Sequence, residues 1–366
     1  MNNDVITLSR KIKKKLHGSY TGWHKLKGLY LKEVSRHEIN AMMLLSVEKP
    51  VDLAKLLKKS FFQIEELINN PDYRKFYLRK KRGGYREITA PAPELMLVQK
   101  RLNYYLQARY LCIRPDQVHG FVANPRYLGK SCNIVENARS HVGRKHILNI
   151  DLREFFPSIS ARQVREVFMS DIFGFNEDIA TSLALLVTFA GRLPVGAPTS
   201  PVISNFVCLA LDRELQDLSE KRHFTYTRYA DDITFSADHP FTEDHLREIE
   251  TTVEKHYFRI NHDKTRITGA NRKQTVTGLV VNERLNIDRR MLKKIRAMVH
   301  DCTRNGLEQA AKNHLGIRGA SDRAMTKWFI DRLGGYISFV GQVRGTKDPV
   351  YKKLKTDLET ALKTKY

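Results

Sequence analysis

Along the first 70 residues apolar side chains recur at rough three-to-four spacing among lysines and arginines. The run KKLHGSYTGWHKLKGLYLKEVSRHEINAMMLL is the clearest case, and its spacing predicts helices. At YRKFYLRKKRGGYREITAP (73–91) the period shortens to that of a strand on either side of Gly83-Gly84, which predicts a hairpin. Five basic residues, Arg79, Lys80, Lys81, Arg82 and Arg86, crowd its tip. Residues 92–110 return to helical spacing. After HGF (119–121) a loop or short helix leads to KHILNID (145–151), a short buried strand that ends on an acidic residue. Helical patterns follow over 161–171 and 177–190. The Pro/Gly-rich turn GRLPVGAPTSP (191–201) then delivers one long helix from about 202 to 220.

Next comes FTYTRYADDITFSA (224–237). Phe224, Tyr226 and Arg228 alternate with Thr225, Thr227 and Tyr229, and Ile233 and Phe235 alternate with Thr234 and Ser236. This predicts a half-buried hairpin with Asp231 and Asp232 at its tip. Thr242 is placed to cap a following helix, short strands are expected at 264–268 and 276–281, and the pattern is helical from 282 onward. There is no internal repeat. Helices interleaved with short strands, without regular βαβ alternation, predict an α+β fold and not a doubly wound one.

Charge changes the picture more than composition does. With 63 basic and 40 acidic residues the net charge is +23, far more than solubility needs, and a polyanion, nucleic acid before a membrane surface, is the expected partner. The tail from 282 to 366 alone holds 19 basic and 9 acidic residues. No stretch approaches the roughly 20 apolar residues of a membrane span, and no apolar signal region follows the basic KIKKK (11–15). Cys112, Cys132, Cys208 and Cys302 are far apart and form no CxxC pair. They are expected to be buried thiols of a cytoplasmic protein, not a zinc site.

The adjacent aspartates need a reason, because carboxylates taken partly from water repel each other and favour protonation. A polar turn is the ordinary explanation for two such residues, but these stand at the end of a packed hairpin. Divalent cations resolve the repulsion: Mg²⁺ takes hard oxygen ligands, and two ions about 3.5–4 Å apart activate an attacking hydroxyl and stabilise a leaving oxygen in phosphoryl transfer. That chemistry calls for another carboxylate on an adjacent strand, and Asp151 ends one.

Six blocks, RGGYREI (82–88), NIDLREFFPSI (149–159), LPVGAPTSPVISN (193–205), YADD (229–232), NHDKTRI (261–267) and VTGLVVN (276–282), occur in an order and spacing that resemble the reverse transcriptases. The resemblance covers roughly residues 70–285. It implies a right-hand polymerase that copies RNA into DNA from deoxynucleoside triphosphates with two Mg²⁺ ions, Mn²⁺ being an alternative. Its implied parts are a helical extension (1–70), fingers and the start of the palm (71–148), a palm with an antiparallel sheet (149–281) and a basic helical thumb (282–366). Asp151, Asp231 and Asp232 would hold metal, with the Leu152 carbonyl. Arg86, with Lys80 or Lys81, would grip the triphosphate, as a planar guanidinium suits. Gly196 would line the nucleotide site. Phe156 would exclude a ribose 2′-hydroxyl, the alternative being a core aromatic beside Phe155. Lys264 would stand near the leaving pyrophosphate, and Tyr229 would support the primer end. Val195 departs from the Gln that many family members carry before this glycine, so a polar contact there is absent.

NARSH (137–141) and VTG (276–278) resemble the two markers of the retron lineage. On a helix Asn137 and His141 would share one face; the alternative is a structural pair satisfying backbone groups. Asn137, His141, Val276, Thr277 and Gly278 are therefore expected to serve RNA recognition, and Lys352, Lys353 and Lys355 to contact RNA phosphates from the tail. The lineage implies a cognate structured non-coding RNA, priming from an RNA 2′-hydroxyl, a branched RNA–DNA product (msDNA), and antiphage defence with a separate effector protein. Two alternatives stand beside this: another bacterial defence-type or diversity-generating reverse transcriptase, and an RNA-holding scaffold that restrains a toxin.

Overall fold

The computed structural model describes residues 2–15, 34–80, 83–123, 131–316 and 323–363. Lys81 and Arg82 of the basic hairpin tip lie outside these. In the described residues the chain begins with helices α1 (Asn2–Lys15), α2 (Arg36–Leu45), α3 (Pro50–Leu57) and α4 (Phe61–Asn69). The hairpin β1 (Tyr73–Arg79) and β2 (Tyr85–Pro91) precedes α5 (Pro93–Leu111), α6 (Ile134–Arg139) and β3 (His146–Asp151). Then come α7 (Phe155–Ser158), α8 (Ala161–Met169), α9 (Glu177–Val187), α10 (Ser200–Val207) and α11 (Leu209–Arg222). Strands β4 (Thr225–Tyr229) and β5 (Asp232–Ala237), helix α12 (Glu243–Lys255) and strands β6 (Arg266–Gly269), β7 (Thr275–Val276) and β8 (Leu279–Val280) follow. The chain closes with α13 (Arg289–Asn305), α14 (Leu307–Leu315), α15 (Arg323–Arg344) and α16 (Pro349–Lys363).

The fold is α+β, as the pattern predicts. One sheet has the strand order β4-β5-β3-β6, with β3 and β6 antiparallel from His146–Gly269 to Asn149–Arg266. By contacts the chain forms two compact units. The first comprises Met1–Cys132, Ile150–Ile233 and Thr242–Thr265; the second comprises Asn133–Asn149, Thr234–Phe241 and Arg266–Tyr366. The first unit packs α2 against α5 and α8 against α9, around an aromatic core of Tyr110, Phe168, Phe173, Phe175 and Phe206. In the second unit, one apolar face each of α13, α15 and α16 meets in a separate core, where Leu292, Ile295, Val299, Phe329, Leu333, Val340 and Leu354 are buried.

Local chemistry accounts for several of these boundaries. Ser35, Ser60 and Ser160 each cap a helix and sit in a capping box with Glu38, Gln63 and Gln163. Thr242 caps α12 as expected, accepting from the His245 N–H at 3.3 Å. β1 and β2 pair in register from Tyr73–Pro91 to Arg79–Tyr85, with Gly83 and Gly84 at φ of 91° and 76° in the turn.

Four expectations need correction. The single helix at 202–220 is two, broken at Cys208, whose backbone ends α10 and starts α11. The strand at 276–281 is a small hairpin, β7–β8, because Thr277 and Gly278 both take positive φ (48° and 83°), the geometry of a two-residue hairpin turn. The hairpin β4–β5 is not half-buried: every residue from Ile233 to Ala237 is buried, Thr234 and Ser236 included. Of the four cysteines Cys112 is exposed, and the other three are buried free thiols.

Candidate active site

The three aspartates come together through backbone pairing. The Leu152 N–H donates to the Asp231 carbonyl at 3.0 Å, tying the end of β3 to the turn between β4 and β5. On its other side the Asp151 carbonyl accepts from the Asn261 N–H at 2.8 Å, and the Arg153 N–H donates to the Arg259 carbonyl at 2.8 Å. The Asn261 carbonyl in turn accepts from the N–H groups of Lys264 and Thr265, closing a turn. That turn aims the Lys264 ammonium at Asp151, where it donates to both carboxylate oxygens at 2.9 Å. The Asn261 side-chain amide adds a 3.3 Å bond to the same carboxylate.

Charge is unevenly satisfied across the trio. Asp151 has its lysine, but Asp231 and Asp232 make no ion pair among the described residues. Lost solvation, first, and then the Asp151 charge raise the Asp231 carboxyl, against the pull of Lys264 and Arg86. Lost solvation, followed by the charges of Asp231 and Asp151, pushes Asp232 up to about 6. Two carboxyls raised by lost solvation and neighbouring negative charge are what a cation relieves, and their oxygens are the hard donors a divalent ion takes. The donor set fits such an ion in chemistry. Among the described residues, however, no three acidic, histidine or cysteine side chains stand close enough to share one, and Lys264 covers both oxygens of Asp151. A cation held by all three would share the Asp151 oxygens with Lys264 or displace it.

The turn itself rests on a buried network that the sequence pattern did not reveal. Arg228, fully buried, donates through Nε and Nη2 to the two oxygens of Asp212 at 2.6 Å each. Its Nη1 donates to Asn205 Oδ1 at 3.1 Å and to the Ala230 carbonyl at 3.0 Å. The Tyr226 hydroxyl donates to Asp212 at 2.7 Å, and Asn205 Nδ2 donates to the Gly120 carbonyl at 3.0 Å. Ala230 has a φ of 62°, so the arginine holds a strained residue directly before the aspartates. A Cβ on Gly120 would lie 2.2 Å from the Ala230 nitrogen, and only glycine allows that approach. The signals were present: a charged residue alternating with aromatics in a buried strand, and Asp212 between Leu211 and Leu215 on an inward helix face.

Other predicted residues are placed as follows. Gly196 has a φ of 127°, and a Cβ there would meet Ile88 Cγ2 at 2.8 Å. Beside it the Thr89 N–H donates to the Val195 carbonyl at 2.7 Å, so this loop packs on β2. Arg86 and Lys80 are exposed on the hairpin. Phe156 is half-buried, its ring 5.7 Å from Phe121 and 5.5 Å from Phe155. Tyr229 is half-buried at the end of β4.

The two short markers meet in the second unit. α6 ends at Arg139, so Asn137 lies within the helix and His141 in the turn beyond it, not one helical face as expected. Ser140 caps that end and Gly143, at φ 79°, turns the chain away. Both marker side chains are buried; His141 Nδ1 is 2.7 Å from the Ser236 hydroxyl. Val276 is buried, and the Thr277 hydroxyl donates to the Ile134 carbonyl at the start of α6 at 3.0 Å. Neither Asn137 nor His141 presents its side chain to solvent, so direct contact with RNA is not available to them here. Lys352, Lys353 and Lys355 are exposed on α16, opposite the buried Leu354 and Leu358.

Residues 78–281 match the family described as reverse transcriptase (RNA-dependent DNA polymerase). Among curated proteins, the Mx65 retron reverse transcriptase of Myxococcus xanthus is 36% identical over 66% of this chain and 59% of its own. The Mx162 retron reverse transcriptase of the same organism is 32% identical over 79% and 61%. The Ec86 retron reverse transcriptase of Escherichia coli is 34% identical over 73% of this chain and 83% of its own. A solved telomerase from Candida albicans, in complex with a TWJ fragment of telomeric RNA, aligns over 80% of this chain and 63% of that one. Its TM-score is 0.45 at 10% identity, and it adds nothing to the fold described above. The chain belongs to the reverse transcriptase family and, within it, to the retron type. Membership carries the right-hand polymerase fold. The match spans about three fifths of the length of the two Myxococcus relatives. No helix among the described residues is long and apolar enough to cross a membrane.

Proposed function

We propose that this protein is an RNA-directed DNA polymerase that copies a cognate structured non-coding RNA, priming from an RNA 2′-hydroxyl to give a branched RNA–DNA product. The observation that carries the reading is the junction of Asp151 with Asp231 and Asp232, held by the Leu152–Asp231 bond and short of positive charge. In nucleotidyl transfer a hydroxyl oxygen attacks the α-phosphorus of a deoxynucleoside triphosphate. The new P–O bond forms as the bond to the β-phosphate oxygen breaks, pyrophosphate leaves with that electron pair, and the hydroxyl proton passes to water. Divalent ions, Mg²⁺ in this reading, would be held by the three aspartates with the Leu152 carbonyl; bound there, they activate the nucleophile and neutralise the leaving group.

The protein's own side chains supply the rest. Arg86, with Lys80 and Lys81, would grip the triphosphate from the exposed hairpin. Gly196 lets the loop before α10 lie close to β2, and Phe156 would close the space beside the sugar. Tyr229 would support the primer end. Lys264, once released from Asp151, is an ammonium at hand for the departing pyrophosphate. Residues 1–70 and 71–148 would form the extension and fingers, 149–281 the palm and 282–366 a thumb. The exposed lysines of α16 suit phosphates of A-form RNA. The markers Asn137, His141, Val276, Thr277 and Gly278 would act on RNA choice through the loop they build. Retron membership supports msDNA synthesis and antiphage defence with a separate effector as its setting.

The test is replacement of Asp231 and Asp232 by Asn. DNA synthesis on a primed RNA should vanish while RNA affinity and the circular dichroism spectrum are kept. Continued polymerisation by the purified double variant would overturn the assignment.

A further inference from the structure

Two residues along the chain from Asp151 and Asn261, a cavity of about 400 Å³ is lined by Arg153, Glu154, Ser158, Arg192, Tyr257 and Arg259. Its two central arginines come from the same pair of segments as the site: Arg153 follows Asp151 by two residues, Arg259 precedes Asn261 by two, and their backbones are joined. Three guanidiniums share this space with one carboxylate. Arg192 spends one N–H on the Pro157 carbonyl at 2.7 Å, whereas the side chains of Arg153 and Arg259 make no hydrogen bond or ion pair among the described residues. The Glu154 carboxylate pairs with none of them. The Ser158 hydroxyl donates to the Phe155 carbonyl at 2.8 Å, and Tyr257 is 77% exposed.

The lining backbone is strained as well. Glu154 (φ 48°) and Tyr257 (φ 65°) are two of the eight non-glycine residues with positive φ among the described residues, and both line this one cavity. A bulky aromatic pays to sit in that region, and such residues gather at ligand sites.

We propose that this cavity binds an oligophosphate anion of the pyrophosphate class. Each phosphate of a nucleic-acid backbone carries a single charge, and a backbone is met by cations spread along a groove. Three uncompensated guanidiniums gathered in one cavity match an anion that concentrates several charges, and each guanidinium can grip two oxygens at once. The inference rests on the polymerase reading for its purpose: pyrophosphate is that reaction's leaving group, and the cavity shares its segments with Asp151 and Lys264. Binding itself does not depend on that reading.

The experiment is calorimetry on the full-length protein with inorganic pyrophosphate, no divalent ion present. Arg153→Ala/Arg259→Ala should lose affinity by at least about tenfold, as charge-assisted hydrogen bonds imply. Arg247→Ala, an exposed arginine of α12 paired with Asp244, should keep it. Both arginines are exposed, so the fold should survive, and Arg153→Lys/Arg259→Lys, which keeps the charge, should fall between. Adenosine triphosphate as a second probe separates the sources: loss of both ligands marks a nucleotide's tail, and loss of pyrophosphate alone marks the free leaving group. Unchanged pyrophosphate affinity in the alanine pair would overturn the proposal. So would a pair that keeps pyrophosphate but binds single-stranded RNA more weakly, because the arginines would then be a nucleic-acid patch. Failure of Asp231→Asn to stop synthesis would touch the polymerase reading and leave this binding result standing.

Discussion

Replacing Arg228 with Met should be among the most damaging single changes in the catalytic region, and the structure says by how much. Neither Arg228 nor Asp212 exposes any side-chain surface, so the variant leaves a carboxylate buried with only the Tyr226 hydroxyl and no cation. Stranding one partner of a buried pair costs about 3–5 kcal/mol, against about 5–15 kcal/mol for a whole domain. Tyr226→Phe removes one hydrogen bond to the same carboxylate and should cost about 1–3 kcal/mol. Arg228→Lys keeps a charge but loses the fork that reaches Asp212, Asn205 and Ala230 together, and should fall between the two. Adding Asp212→Leu to Arg228→Met removes the stranded charge, so the double variant should cost clearly less than its singles summed. A chain with two compact units need not unfold in one step. The assay is therefore hydrogen exchange resolved to peptides covering 224–237, with urea melts in support. Protection should collapse in those peptides first, and DNA synthesis should fall with it because the Ala230 carbonyl is no longer held. An Arg228→Met protein within about 1 kcal/mol of wild type, or strict additivity in the double variant, would refute the argument.

Two further predictions follow. Phe156→Val should admit ribonucleotides into the product, read as alkali-labile DNA; an alkali-resistant product from a folded variant leaves Phe156 as a partner of Phe121 and Phe155 only. Asp232, pushed up to about 6, is protonated below that pH and ionised above it, so it opposes folding as pH rises through the window between the ordinary carboxylate value and about 6. Mg²⁺ or Mn²⁺ affinity should accordingly weaken as pH falls below about 6, with proton release on binding near that pH. Calorimetry in two buffers of different ionisation enthalpy reads the released proton, and flat affinity from pH 5 to 7.5 with none released would count against Asp232 as a ligand.

How much of this was legible in the sequence depends on range. Gly83-Gly84, Thr242 and the alternation of β4 act locally, and the hairpin, the cap and the strand are where the pattern puts them. The long helix at 202–220 failed because no proline or glycine marks the break at Cys208. At the site, the residue types gave the three aspartates, since paired carboxylates on a packed turn need a reason. They did not give Asp212, Asn205 or Gly120, which act on that turn from 18, 25 and 110 residues before Ala230. No periodicity joins residues so far apart. Nor did they give the Lys264–Asp151 bond, whose partners are 113 residues apart.

The short markers show the same limit from the other side. Read as sequence, NARSH and VTG are expected to serve RNA recognition, with a structural pair as the alternative for Asn137 and His141. In the structure the Thr277 hydroxyl ties the β7–β8 turn to the start of α6, and His141 reaches the Ser236 hydroxyl on β5. Thr277 adopts a φ of 48°, which disfavours a β-branched residue, and its hydroxyl bond to the Ile134 carbonyl offsets part of that strain. The His141–Ser236 pair is fully buried, so its loss would leave an unsatisfied polar atom in the core of the second unit. Ser236 lies four residues after Asp232 on β5. Through His141 the first marker therefore braces β5, a structural task that asks for no direct contact with RNA.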